Sequence, residues 1–139
     1  MKILYTALAT ATGEGRAGHV SSHDGVIDVD LGVPKELGGA GGEVTNPEQL
    51  FAAGYAGCFH NALRIACRRA RKDVEGSQVT AEVGLGPIEG GRFGLAVTLA
   101  VALPNVAPED VQDVVQKAHH ICPYSNALRG NVEVQLRVV

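Results

Sequence analysis

Three cysteines and five histidines are the residues of this 139-residue chain whose types suit chemistry. Thiolates attack electrophiles, ligate metals and form disulfides, and imidazoles titrate near neutrality. Cys58 stands in Ala56-Gly57-Cys58-Phe59-His60, Cys67 follows nine residues later, and Cys122 opens Cys122-Pro123-Tyr124-Ser125. Cys58 and Cys67 fall on one helix-periodic segment, where nine residues are two and a half turns, about 13 Å along the axis and on opposite faces. A disulfide needs Cα atoms within about 7 Å, so this pair cannot bridge while the helix stands. Cys67, beside Ile65 and Ala66, reads as a small buried hydrophobe. His19, His23, His60, His119 and His120 are the possible metal ligands. His119 and His120 diverge by about 100° on a helix, and no CxxC or HxxxH spacing occurs, so no metal site is expected.

Cys58 and Cys122 differ electrostatically. Gly54 and Gly57 lie close together inside the helical pattern, each costing about 1 kcal/mol relative to Ala. Either they admit a close neighbour or the helix breaks near Gly54–Gly57. A break would put Cys58 near a fresh helix N-terminus, whose partial positive charge favours a thiolate. A buried, inert cysteine on an Ala-rich helix is the alternative. Cys122 ends a helix, where the dipole disfavours a thiolate, and Pro123 is expected to turn it towards an exposed bend. One thiol that attacks and a second that resolves the resulting sulfenic acid is the asymmetry a dithiol peroxidase requires.

The elements that must hold these residues are legible from periodicity. Val26–Leu31 alternates, as do Val79, Ala81, Val83 and Leu85, and Val132, Val134, Leu136 and Val138. The run Gly94–Leu103 is large and apolar on one face and small on the other, which places it centrally in its sheet. One helix starts at Thr45-Asn46-Pro47-Glu48, a cap with Pro at the first helical position, and runs to about Lys72. A second starts at Pro108-Glu109-Asp110, carries Val111, Val114, Val115 and Ala118, and stops at Cys122-Pro123. The expected fold class is α+β with mainly antiparallel pairing, in a single domain over 1–139. Its N-terminal strands lie within about 1–33, a flexible Gly-rich loop spans 36–42, the long helix covers about 46–72, and strands and the second helix fill 78–139. The loop has neither the strand-to-helix context nor the Lys of a phosphate cradle.

Composition narrows the partners. With 45% apolar and 19% charged residues the chain is an ordinary globular one. A net charge of −3 leaves no domain-wide basic footprint for nucleic acid. Arg64, Arg68, Arg69, Arg71 and Lys72 gather near a helix C-terminus, where cations are favoured. Met1–Thr12 imitates a leader, but Tyr5, Thr6 and Thr10 break its apolar run, and it reads as a short strand. No segment is long enough to span a bilayer. The expected compartment is the cytoplasm, where thiols stay reduced and a structural disulfide framework is out of place.

The segment from Thr45 through Gly54-Tyr55-Ala56-Gly57-Cys58-Phe59 closely resembles the first cysteine motif of the organic hydroperoxide resistance (Ohr) branch of the OsmC/Ohr family. Cys122-Pro123-Tyr124-Ser125-Asn126-Ala127, followed by Arg129-Gly130-Asn131 and a last strand, resembles the second. Gly84-Leu85-Gly86-Pro87-Ile88 and the Gly94–Pro104 run look like the family's hairpin, and Gly15-Arg16-Ala17-Gly18 with Ser22-His23-Asp24-Gly25 like its Gly-Arg loop. The likeness spans nearly the whole chain.

The resemblance implies an OsmC-like fold, with sheets around a long central helix and an intertwined homodimer with active sites at its interface. It implies that Cys58 attacks an organic hydroperoxide and that Cys122 closes a disulfide on the sulfenic acid. The reductant would be dihydrolipoamide or a lipoylated protein, with no bound cofactor. Arg16 would lower the Cys58 pKa and polarise the O–O bond, and Glu48 would orient Arg16 through a bidentate pair. Glu48 and Cys58 share one site only through a helix interruption, the length of the Arg, or a partner subunit. Phe51, Phe59, Ile121 and Tyr124 are candidates for an apolar entry and equally for the core. A redox sensor without turnover, or a metal-binding module on the same Cys and His residues, is the competing class.

Overall fold

Alternation of large and small apolar residues sets the centre of the C-terminal sheet. The computed structural model describes residues 1–139, which divide into two compact units, Met1–Leu50 and Phe51–Val139. In the second unit β4 (Gln78–Ile88) and β5 (Arg92–Ala102) form a long antiparallel hairpin, and β6 (Val134–Val138) adds to β5 in parallel, giving the order β4-β5-β6. The central place expected for the Gly94–Leu103 run is the one β5 takes. Val97, Leu99, Val101 and Leu103 are buried on its large face, while Ala96 on its small face is exposed.

The first unit holds a three-stranded antiparallel sheet of β1 (Ala9–Thr12), β2 (His19–Ser22) and β3 (Asp28–Asp30) in that order. The expected leading strand shrinks to β1, the Val26–Leu31 strand shrinks to β3 with Ile27 exposed, and β2 lies in a stretch without apolar alternation. A 3₁₀ turn, Gly15–Ala17, carries Arg16 between β1 and β2. Gly18 closes it at a spot where a Cβ would lie 2.2 Å from the Thr12 carbonyl oxygen, so only glycine fits. The Gly-rich segment includes a second 3₁₀ turn, Lys35–Leu37, with Gly39 N–H bonded to Pro34 O.

Helix α1 (Pro47–Arg69) begins as its sequence dictates. Asn46 Oδ1 accepts the Gln49 N–H at 2.8 Å, the N-cap bond that satisfies an orphan amide. The helix then runs 23 residues without a break, which overturns the expected interruption at Gly54–Gly57. Gly54 answers to a neighbour instead, and Gly57 does not. A Cβ on Gly54 would meet Tyr124 Oη at 3.1 Å, and one on Gly57 would meet nothing within 4 Å. The helix stops three residues short of Lys72, where Arg71 takes a left-handed φ of 57° and Lys72 N–H reaches back to Cys67 O at 2.8 Å.

Helix α2 (Pro108–Ile121) buries Val111, Val114, Val115 and Ala118, the stripe read from its sequence. These side chains join Tyr55, Phe59, Leu63 and Ala66 of α1 and the large face of β5 in one core. A further short helix, α3 (Pro123–Leu128), follows directly. Cys122 is at once the C-cap of α2 and the N-cap of α3, extended at φ −61° and ψ 122°. No helix is long and apolar enough to cross a membrane.

Candidate active site

The α2–α3 junction brings Cys122 against the middle of α1. Cys122 Sγ and Cys58 Sγ are 3.7 Å apart, within hydrogen-bonding reach, and both thiols are free. The sequence places Cys122 on an exposed bend, but it is 0% exposed. Pro123 does end α2, but as the first residue of α3 it folds the chain back over the thiol rather than away from it. Cys58 is half-buried, and Cys67 lies in the core as expected.

With α1 unbroken, no helix N-terminus of its own serves Cys58. Burial pushes its thiol pKa up and the neighbouring Cys122 thiol adds to the rise, against a backbone N–H bond from Tyr124, which favours the thiolate. The dipole that reaches Cys58 thus comes from a Tyr124 amide in the first turn of α3.

Around the thiols lies a polar chain that the cysteine motifs do not reveal. Tyr55 Oη is 2.8 Å from Ser125 Oγ, which is 2.9 Å from His119 Nδ1. Tyr55 and Ser125 are 0% exposed. Burial raises the Tyr55 pKa, with the Ser125 hydrogen bond opposing, and burial lowers that of His119, so the phenol and imidazole are neutral near pH 7. The sequence signal was Ser125, a polar residue on the face of α3 three positions after Cys122. Beside this chain Tyr124 packs on Phe51 and Tyr55, at 6.0 and 5.6 Å between ring centroids.

The four residues considered for an apolar entry are distributed. Phe51 and Tyr124 share the aromatic cluster, with Tyr124 38% exposed. Phe59, 0% exposed, belongs to the core rather than to an open entry. Ile121 faces a different cavity of about 450 Å³, with Ala66, Ala70, Arg69 and Lys117.

In the first unit, Arg16 donates two hydrogen bonds to Glu48, Nη1 to Oε2 at 2.8 Å and Nη2 to Oε1 at 2.6 Å, a fork-to-fork pair. The guanidinium holds the Glu48 carboxyl below its ordinary range, and Glu48 raises Arg16 in turn. His19 is also bonded twice, to Asp30 and Asp28. No group of three or more His, Cys, Asp or Glu side chains is disposed to hold a metal ion.

Residues 39–137 match the family model described as OsmC-like protein. An organic hydroperoxide resistance protein of Xanthomonas axonopodis pv. citri is 51% identical over 136 residues, covering 97% of this chain and 94% of the relative. The chain belongs to the OsmC/Ohr family. OhrB of Bacillus subtilis is 46% identical over 138 residues, covering 97% of this chain and 98% of the relative. Among solved structures, an organic hydroperoxide resistance protein from Elizabethkingia anophelis superposes with a TM-score of 0.93 at 53% identity, covering 99% of this chain and 98% of that one. The α+β, OsmC-like fold expected from the sequence is therefore the fold of this family.

Proposed function

We propose that the protein is a thiol-dependent peroxidase that reduces organic hydroperoxides to alcohols, as the names of its relatives suggest. The observation that carries this reading is the 3.7 Å contact between Cys58 Sγ and Cys122 Sγ. Cys58 thiolate attacks the distal peroxide oxygen, the O–O bond breaks, and the alkoxide takes a proton to leave as alcohol. Cys58 is left as a sulfenic acid. The Cys122 sulfur displaces its hydroxyl as water, forming the Cys58–Cys122 disulfide, and a dihydrolipoyl dithiol returns both thiols by exchange.

Burial pushes the Cys58 thiol up, so attack at neutral pH needs a cation. We assign that role to Arg16, held in a fixed plane by Glu48, with the site completed in a homodimer. Exposed Ile3, Leu4, Tyr5, Leu8 and Val26 of the first unit support a second copy. Phe51 and Tyr124 offer an apolar edge that suits bulky or fatty-acid hydroperoxides better than hydrogen peroxide. We place the protein in the cytoplasm, where reduced lipoyl groups are maintained. Peroxide loss from cumene hydroperoxide, followed with dihydrolipoamide and then with glutathione, tests the reading. Turnover with the dithiol that vanishes in Cys58→Ser is expected; full activity in that variant would falsify it.

A further inference from the structure

Each member of this polar chain, with Tyr55 and Ser125 buried and His119 partly buried, sits three residues from a reactive sulfur. Tyr55 precedes Cys58 by three on α1, His119 precedes Cys122 by three on α2, and Ser125 follows Cys122 by three on α3. Residues three apart on a helix are surface neighbours, which sets Tyr55 beside Cys58 on α1. His119 and Ser125 flank the extended junction at Cys122 from α2 and α3. The chain therefore ties together the segments that carry both thiols. Ser125 is the one buried side chain of a polar residue type, and its hydroxyl is the middle link. Between α2 and α3 the backbone at Cys122 is extended, so helix geometry alone does not fix the angle of α3. What holds the first turn of α3 against α1 is the Tyr55–Ser125 hydrogen bond and the packing of Tyr124 over Gly54.

We propose that Tyr55, Ser125 and His119 are positioning residues for resolution: they hold Cys122 against Cys58 so that the sulfenic acid closes to a disulfide before a second peroxide oxidises it to sulfinic acid. This rests on the peroxidase reading above. Two fates compete for one Cys58–SOH. Condensation with Cys122–SH releases water and forms the disulfide, whereas a further ROOH transfers an oxygen to sulfur and leaves ROH. The first depends on where Cys122 stands, and the second does not. The neutral imidazole of His119 meets Ser125 through Nδ1, and Arg129 donates to the His119 carbonyl at 3.0 Å, tying the end of α2 to the residue after α3.

The test uses full-length reduced protein carrying Tyr55→Phe, which keeps the ring and loses only the hydroxyl, or Ser125→Ala. Cumene hydroperoxide is added by rapid mixing, sulfenic acid is trapped with dimedone, and disulfide and sulfinic acid are separated by mass. Sulfenic acid should form at the wild-type rate, disulfide should form about tenfold or more slowly, and the sulfinic fraction under excess peroxide should rise. His119→Asn, which keeps a side-chain hydrogen-bonding group, should resolve faster than His119→Ala. Should Ser125→Ala fail to fold, Tyr55→Phe decides. Wild-type resolution in Tyr55→Phe, or equal slowing of both steps, overturns the proposal while leaving the peroxidase reading intact. A wild-type protein that forms no sulfenic acid overturns both.

Discussion

Cys122 Sγ stands 3.7 Å from Cys58 Sγ although 64 residues of chain separate them. A disulfide sulfur pair lies about 2.05 Å apart, so the bond needs a side-chain adjustment rather than refolding. Cys58→Ser is expected to abolish peroxide consumption. Cys122→Ser should consume one equivalent and stall as a sulfenic acid that overoxidises readily, read by thiol titration and mass. Cys67→Ala should turn over normally while losing about 1 kcal/mol of stability, the value of a small buried group, measured by denaturant unfolding.

The Arg16–Glu48 fork makes a different prediction. Arg16→Lys keeps the charge and loses the two parallel bonds, so under the proposed mechanism activity should fall by about a hundredfold. Glu48 carries a depressed pKa, its first cause the Arg16 hydrogen bond. Its contribution to stability is therefore present above the unfolded carboxylate value of about 4.3 and is lost as pH falls through the lower folded value. Arg16 is 42% exposed and Glu48 15%, so solvent screening keeps the effect to about 1 kcal/mol or less. Unfolding of Glu48→Gln compared with the parent at pH 7 and pH 3 measures it.

Much of this was legible in the sequence because it depends on local pattern. The Asn46-Pro47 start of α1, the stripe of α2 and the central place of β5 each follow from capping or periodicity. The rest depends on contacts between distant segments. Gly54 and Gly57, three residues apart, point by propensity to a break, yet α1 stays whole because Gly54 yields space to Tyr124 rather than to a bend. Pro123 marks a stop in the sequence pattern, and it is equally a start: it opens α3 and leaves Cys122 buried. Alternation in β6 marked a strand without revealing that it runs parallel to β5. Nothing in spacing joins Tyr55 to Ser125, seventy positions on.

The two helical glycines should respond unequally to alanine. At Gly57 a Cβ meets nothing, so Gly57→Ala should stabilise by up to about 1 kcal/mol through helix propensity. At Gly54 a Cβ would press on Tyr124 Oη at 3.1 Å. Tyr124 is 38% exposed and has room to move, so the propensity gain should be largely cancelled. Thermal unfolding of the two variants checks the contrast; an equal gain at both would show that Tyr124 does not need the space.

His19 supplies a pH dependence. Nδ1 is 2.7 Å from Asp30 Oδ1 and Nε2 is 2.6 Å from Asp28 Oδ1, so both ring nitrogens face carboxylates, and only the imidazolium can donate to both. Its pKa is raised, by the Asp30 hydrogen bond first and the Asp28 bond next. The clamp therefore stabilises β2 and β3 fully below the unfolded value of about 6.5 and weakens as pH rises through the higher folded value. The effect reaches the Arg16 turn, because Gly18, next to His19, bonds Gly15 O through its N–H and accepts the Leu31 N–H at 2.9 Å. An NMR titration of the His19 ring should give a midpoint above 6.5. Hydrogen exchange in β2 and β3, corrected for intrinsic rates, should quicken across that midpoint. His19→Gln should remove the pH step, and a His19 midpoint at or below 6.5 would show that the two aspartates do not hold the charged ring in solution.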